Sequence, residues 1–304
     1  DLNDWENLLA DSTHESDLDF LADHVRAEHL PHAVIIDCTS ADVIARRYPD
    51  WLARGIHVIT PNKKAGSGPL AHYEAIKTAR RLGDTRYLYE TTVGAGLPII
   101  QTLRDLRETG DRVRRVQGIL SGTLAYLFNV YDGSKPFSEI VREAKASGFT
   151  EPDPRDDLSG MDVARKVVIL GREMGLSIEL ADVEIESLVP AALEGDDVAS
   201  FLDGLADYDD DMGQRYAQAK AKNEVLRYVA VLGDDGRASV ALKSLPATHT
   251  FGHLNLTDNV VQFETARYCD NPLVVQGPGA GPAVTAAGVF ADLLRLSAYL
   301  GAAV

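Results

Sequence analysis

Ala33-Val34-Ile35-Ile36-Asp37, then Ala41 to Ala53, then His57-Val58-Ile59-Thr60, then Leu70 to Leu82, then Tyr87 to Thr92: the chain here alternates short β-branched runs with polar segments of helical length. Strand, helix, strand, helix, strand in that order predicts a parallel sheet, because parallel neighbours need a crossover and a helix is the usual one. Gly55 and Gly83 each close a predicted helix just ahead of the next strand, where a left-handed C-terminal residue is expected. Ligands of such sheets bind beyond the carboxyl ends of the strands. Three loops lie there, opening with Asp37-Cys38-Thr39-Ser40, Pro61-Asn62-Lys63-Lys64 and Thr92-Val93-Gly94-Ala95-Gly96.

Further along the chain, residues 98–230 read as mostly helical, with Pro98 in a first turn and Ile99, Leu103 and Leu106 along one face. Strands are expected at Val225 to Val231, Ser239 to Leu245, Val260 to Ala266 and Leu273 to Gln276, with a hairpin turn at Gly233-Asp234-Asp235-Gly236. Gly277-Pro278-Gly279-Ala280-Gly281 then leads into a helix from about Val284 to Leu300, and the acidic run Asp207 to Asp211 reads as a solvated turn. The 304 residues carry 30 basic and 46 acidic side chains, a formal charge of −16. Such a surface repels phosphate backbones and anionic lipid, so neither nucleic acid nor a membrane is expected as partner. Cys38 and Cys269 are the two cysteines, too few for a disulfide framework or thiolate zinc site. Asp1-Leu2-Asn3-Asp4 lacks the basic and apolar regions of a secretory signal, and a cytoplasmic protein is expected.

The segment from Gly148 to Lys166 is the most informative about chemistry. It reads Gly-Phe-Thr-Glu-Pro-Asp-Pro-Arg-Asp-Asp-Leu-Ser-Gly-Met-Asp-Val-Ala-Arg-Lys, a carboxylate-rich loop that opens a helix. Val163, Val167, Leu170 and Met174 recur at helical spacing and mark its buried face. Asp162 and Lys166, four apart, share another face. Two accounts fit. In the first, Ser159 caps the helix, Asp162 is the acidic half of a capping box, and the Asp–Lys pair is a surface salt bridge. In the second, the pair faces a cleft, where a partly desolvated lysine loses basicity and becomes a usable acid or base. Spacing does not choose between them.

Taken together, Pro61-Asn62-Lys63-Lys64-Ala65, Thr92 to Pro98, Leu120-Ser121-Gly122-Thr123-Leu124, Thr150 to Lys166 and Gly279 to Val289 resemble homoserine dehydrogenase in order and spacing. The likeness spans essentially the whole chain and is greatest to the dehydrogenase half of bifunctional aspartokinase/homoserine dehydrogenases. It implies reversible hydride transfer between NAD(P)H and L-aspartate 4-semialdehyde, giving L-homoserine on the way to threonine and methionine. By the same resemblance the catalytic residues are Lys166, Lys63 and Asp162, with Lys166 favoured as proton donor. Glu151, Asp157, Asp162, Gly122 and Thr123 would bind substrate. Thr39, Ser40, Pro61, Lys63, Gly279, Ala280 and Gly281 would meet the cofactor. The backbone carbonyls of Glu90, Val93, Ala95 and Leu97 would hold a monovalent cation such as sodium. A zwitterionic substrate does need carboxylates for its ammonium, and a cation near the developing alkoxide.

The expected architecture is therefore α/β: an incomplete Rossmann-like doubly wound sheet plus an inserted α+β substrate and dimerisation domain. Residues 1–97 and 277–304 would form the nucleotide domain and 98–276 the insertion. The family's first strand and its glycine-rich fingerprint have no counterpart here, and the residue that separates NAD from NADP would lie in that absent part. A homodimer is expected through the late strands, with fusion to an aspartokinase domain as a further expectation, and no regulatory domain is expected after the last helix. Phe149 stands where the family often has tyrosine. Two rivals remain at this stage: a non-catalytic amino-acid-binding scaffold or regulatory fragment, and a hydrolase with a divalent metal on Asp153, Asp156 and Asp157.

Overall fold

The computed structural model describes residues 4–13, 15–27, 29–254 and 256–301; the outermost limits of the expected nucleotide domain, 1–3 and 302–304, lie outside the described residues. Helices α1 (Trp5–Ala10) and α2 (Leu18–Val25) lead into β1 (Ala33–Ile36). Asp17 starts α2 by accepting the N–H groups of Asp19 and Phe20 at 2.8 and 3.0 Å. Next come α3 (Asp42–Ala45), α4 (Tyr48–Ala53), β2 (Ile56–Ile59), α5 (Lys63–Ser67), α6 (Leu70–Leu82) and β3 (Tyr87–Leu88). The three strands pair in parallel in the order β1-β2-β3, with Ala33 opposite Ile56 and Val58 opposite Tyr87. Every residue of β2 is buried, as a central parallel strand requires.

Local departures from the expected pattern have physical reasons. The segment 41–53 is two helices, because Pro49 suits the first turn of α4 better than a helix interior. The stretch Tyr87 to Thr92 gives two strand residues and then a 3-10 turn, Glu90–Thr92. Gly55 is left-handed as expected, at φ 85°, whereas the left-handed residue after α6 is Asp84. Gly83 has another reason to be glycine: a Cβ there would stand 1.8 Å from the Leu52 carbonyl oxygen.

Beyond this sheet run α7 (Ile99–Glu108), β4 (Val113–Ile119), α8 (Gly122–Val130), α9 (Phe137–Ala146), α10 (Pro154–Leu158), α11 (Met161–Glu173), β5 (Val183–Ile185), α12 (Val198–Gly204) and α13 (Asp209–Ala221). The expected helical stretch thus contains two strands. One of them, β4, is central to the second sheet. The acidic run belongs largely to the first turn of α13, where carboxylates meet the favourable end of the helix dipole. After it come β6 (Glu224–Gly233), β7 (Ala238–Pro246), β8 (Asp258–Thr265), β9 (Leu273–Pro278) and α14 (Pro282–Tyr299). The six strands order β5-β7-β6-β4-β8-β9, antiparallel except for the β5–β7 pair.

One continuous core runs from beneath the parallel sheet to the mixed sheet. Helix α11 is its axis and packs against α5, α7, β5 and β6. Of the expected face, Val163, Val167 and Leu170 are buried and Met174 is half-buried, but buried too is each residue from Lys166 to Glu173. Three of those are charged, and each is partnered, as burial of charge demands.

Candidate active site

The carboxyl ends of β2 and β3, the start of α8, the loop ahead of α10, the first two turns of α11 and the turn ahead of α14 converge on a cleft of about 520 Å³. A larger hollow of about 730 Å³ lies at the amino ends of the parallel strands, lined by His32, Arg54, His57 and Tyr299. None of the expected site residues reaches it. Size gives way to chemistry here, because the smaller cleft gathers the lysines and carboxylates.

Asp162 is the centre of that cluster. Its Oδ2 lies 2.9 Å from Lys166 Nζ and its Oδ1 3.2 Å from Lys63 Nζ, so one carboxylate holds two ammonium groups. Lys166 also donates to the Leu120 carbonyl at 2.6 Å. An ammonium has three protons, and the third is left for the cleft. The Lys166 side chain is only 10% exposed. Burial pushes its pKa below the usual lysine value, against the pull of Asp162. Burial would raise Asp162, but the two lysines outweigh it and hold the carboxyl well below the usual carboxylate range.

The capping-box account of this segment fails. Ser159 terminates α10, and left-handed Gly160 (φ 70°) stands at the N-cap of α11. The Ser159 hydroxyl accepts only the first N–H of α11, from Met161 at 3.3 Å, and Asp162 is the second helical residue, not the third. A Cβ on Gly160 would be 2.0 Å from the Tyr228 hydroxyl oxygen. Asp162 is spent on lysines and the pair is not a surface bridge.

Glu151 and Asp157 face the same cleft. The Glu151 N–H donates to Asp157 Oδ2 at 2.8 Å, fixing the loop to α10. Burial raises the Asp157 pKa, opposed by that hydrogen bond. Asp153 instead caps α10 and clasps Arg155 at 2.7 Å, so Asp153, Asp156 and Asp157 do not converge, and among the described residues no cluster of three metal-type ligands occurs. Gly122 and Thr123 line the cleft at the start of α8, which Ser121 caps through Leu124 N–H at 3.1 Å.

Of the expected cofactor residues, Pro61, Lys63, Gly279, Ala280 and Gly281 line this cleft, while Thr39 and Ser40 stand apart on the exposed loop after β1. The turn at 279–281 has the character of a ligand cradle. A Cβ at Gly279 would be 2.0 Å from the Asn259 side chain, and the buried Asn259 amide has no hydrogen-bond partner among the described residues. The Thr91 hydroxyl, beside α14, is likewise buried and unpartnered. A glycine turn at a helix start with orphaned polar groups beneath it suits a polar ligand laid against backbone.

In the turn expected to hold a cation, the Glu90 side chain does something else. It caps α7 through the N–H groups of Ile100 and Gln101 at 2.7 and 2.9 Å, and Arg295 lies 3.5 Å away. The Glu90 carbonyl accepts from Val93 N–H at 3.4 Å and the Leu97 carbonyl from Ile99 N–H at 2.8 Å. Among the described residues no N–H is directed at the carbonyls of Val93 or Ala95. Gly94 and Ala95 are both left-handed, which turns successive carbonyls in different directions.

Several cleft residues were not expected from sequence. Thr91, Thr257 and Thr285 carry hydroxyl groups that no spacing rule singles out, and the Leu120 carbonyl that grips Lys166 is backbone. Lys63 and Asp162 meet only because α5 packs on α11.

Comparison with known proteins places these residues in a lineage. A family model for the homoserine dehydrogenase NAD-binding domain matches residues 1–90, and one for homoserine dehydrogenase matches 98–294. The chain is 53% identical over 305 aligned positions to the chloroplastic bifunctional aspartokinase/homoserine dehydrogenase 2 of Arabidopsis thaliana, covering 99% of this chain and 33% of that protein. It is 41% identical to homoserine dehydrogenase of Schizosaccharomyces pombe, covering 99% of this chain and 82% of that one. The chain thus spans about a third of the plant relative and most of the yeast one. A crystal structure of a Candida auris protein of unknown function superposes with a TM-score of 0.91 at 42% identity, over 98% of this chain and 84% of that chain.

Proposed function

The chain belongs to the homoserine dehydrogenase family, and from that premise we propose that its cleft interconverts L-aspartate 4-semialdehyde and L-homoserine with a nicotinamide nucleotide. The observation that carries the proposal is the single carboxylate of Asp162 between the ammonium groups of Lys166 and Lys63 at the cleft floor. The two ammonium groups supply positive charge and donors at the floor for an oxygen that gains charge as an aldehyde is reduced, while Glu151 and Asp157 make the rest of the cleft acidic.

Bound nicotinamide would supply the hydride in one direction and accept it in the other. Pro61, Lys63 and the Gly279–Gly281 turn, together with Thr39 and Ser40, would hold the nucleotide. Glu151 and Asp157 hold the substrate ammonium. Gly122 and Thr123, at the start of α8, form the wall beside it. Lys166 directs its free proton at the carbonyl oxygen, gives it up as the alkoxide forms, and in the reverse direction takes it from the alcohol. Lys63 stabilises the same oxygen, and Asp162 keeps both lysines in place. The carbonyls of Glu90, Val93, Ala95 and Leu97 would hold a monovalent cation that stiffens the turn between β3 and α7; the two carbonyls free of N–H donors support this.

A homodimer through the mixed sheet, a cytoplasmic setting and an aspartokinase domain in a longer native chain belong to the same proposal. Among the described residues no helix is long and apolar enough to cross a membrane. The test is absorbance of the reduced nicotinamide with L-homoserine as substrate. Turnover abolished by Lys166→Met supports the reading. Homoserine binding without turnover, at saturating nucleotide, would turn it into the scaffold alternative.

A further inference from the structure

We propose that Asn62 is a positioning residue for Lys63, anchored by the buried carboxylate of Asp37. Lys63 is the first residue of α5, a helix of five residues that is too short to hold itself together. Its start is set by Asn62, which is 2% exposed and engages its backbone N–H and both polar atoms of its side chain. The side-chain oxygen accepts Lys64 N–H at 3.0 Å. The amide nitrogen donates to Asp37 Oδ2 at 3.0 Å and to the Ala41 carbonyl at 3.0 Å. The backbone N–H donates to Thr60 Oγ1 at 2.8 Å, and the Thr60 hydroxyl donates to the Asp37 carbonyl at 2.7 Å.

A helix cap alone does not need this arrangement. Serine, threonine or aspartate would accept the Lys64 N–H as well. Only an amide accepts at the cap while giving two protons, one to a carboxylate and one to a carbonyl. Asp37 is itself 4% exposed and, among the described residues, has no basic partner. It is held by neutral donors alone: Thr39 N–H at 2.8 Å, the Tyr48 hydroxyl and the Asn62 amide. The carboxyl end of β1, the end of β2 and the start of α5 are thereby locked into one unit. The output of that unit is the Lys63 Cα, from which a side chain 33% exposed reaches Asp162 on α11. A lysine has four rotatable bonds and much conformational freedom to lose. Fixing its root is what makes a 3.2 Å contact to the other half of the molecule persistent.

The kinetic part of this inference rests on the proposed dehydrogenase activity; the geometric part does not. Asn62→Ser keeps a cap oxygen but loses both donor bonds. Reductive methylation with mass spectrometry reads how firmly Lys63 is held, with exposed Lys77 as internal standard. Labelling of Lys63 in Asn62→Ser should rise at least about fivefold over wild type. In the homoserine assay, kcat should fall about tenfold with KM values within about threefold, and the same substitution made in Lys63→Met should cost less than about twofold. Lys63 labelling within about twofold of wild type in a folded variant overturns the proposal. So does an equal loss of kcat with and without Lys63, the mark of a merely structural residue. If wild type turns over no homoserine, the activity reading fails and labelling alone decides this one. If Asn62→Ser does not fold, Asp37→Asn, which keeps shape and removes the charge, is judged by the same labelling ratio.

Discussion

Lys166→Met removes the proposed proton donor and little else. Methionine nearly matches the lysine stem in volume, so the packing of α11 is kept. What disappears is the proton aimed at the cleft, the 2.9 Å contact to Asp162 and the 2.6 Å hydrogen bond to the Leu120 carbonyl. Asp162 retains Lys63 at 3.2 Å and is not left as an isolated charge. The Leu120 carbonyl loses its lysine donor, which costs about 1–3 kcal/mol of stability for a buried acceptor. Loss of a general acid lowers turnover by roughly 10²–10⁴, or about 3–5 kcal/mol of activation free energy. The variant is therefore expected folded, slightly less stable, and nearly inactive. Circular dichroism checks the first two points, and single-turnover oxidation of the nucleotide at saturating aldehyde checks the third. A rate within about threefold of wild type would falsify the assignment of Lys166 as proton donor.

Other expectations follow from the same geometry. Glu151→Gln removes a cleft charge without changing shape, so homoserine should bind at least about tenfold more weakly by calorimetry, about 1.4 kcal/mol, while nucleotide affinity stays put; the reverse pattern would move Glu151 to the other ligand. Because burial sets the Lys166 pKa below 10.5, kcat/KM for aldehyde reduction should fall as pH rises through that lowered value, and homoserine oxidation should rise over the same window; parallel profiles in both directions would contradict the assignment. Asp162 has its pKa depressed in the fold, so its contribution to stability is present above about pH 4 and is lost as pH falls through the folded value. Acid unfolding of Asp162→Asn compared with wild type reads that difference. Gly83→Ala should destabilise by about 1–3 kcal/mol or more, since its Cβ would meet the Leu52 carbonyl oxygen at 1.8 Å and backbone cannot yield cheaply; an unchanged urea midpoint would argue against that close approach.

The parallel sheet was readable because buried parallel strands are near-continuous apolar runs, as Ile56 to Ile59 is, and the helices between them carry ordinary stops. Strand β4 was not. Its sequence Val-Arg-Arg-Val-Gln-Gly-Ile breaks alternation, because the register shifts between Val113 and Arg115 and because Gly118 lies close against the Val260 carbonyl, where a Cβ would come within 2.4 Å. Helix α11 was legible as a helix but not as one buried on nearly all sides. Periodicity assumes that charges face water, whereas Lys166, Arg172 and Glu173 are buried with partners. In the site, Asp162 and Lys166 are four apart and could be read as a pair. The contact of Asp162 with Lys63 could not, because it is made by packing of α5 on α11. The hold of Asp37 on Asn62 is hidden too, because it is made by the pairing of β1 beside β2, although an asparagine just before Lys63 is a visible cap signal.

The most direct test of the central claim is the appearance of reduced nicotinamide when the protein is given L-homoserine and saturating oxidised nucleotide, run beside Asp162→Asn. Wild type should show homoserine-dependent reduction and the variant a loss of at least about tenfold, because its neutral amide no longer holds Lys166 and Lys63 together. Equal reduction by both proteins, or homoserine binding with no reduced nicotinamide from wild type, would contradict that claim.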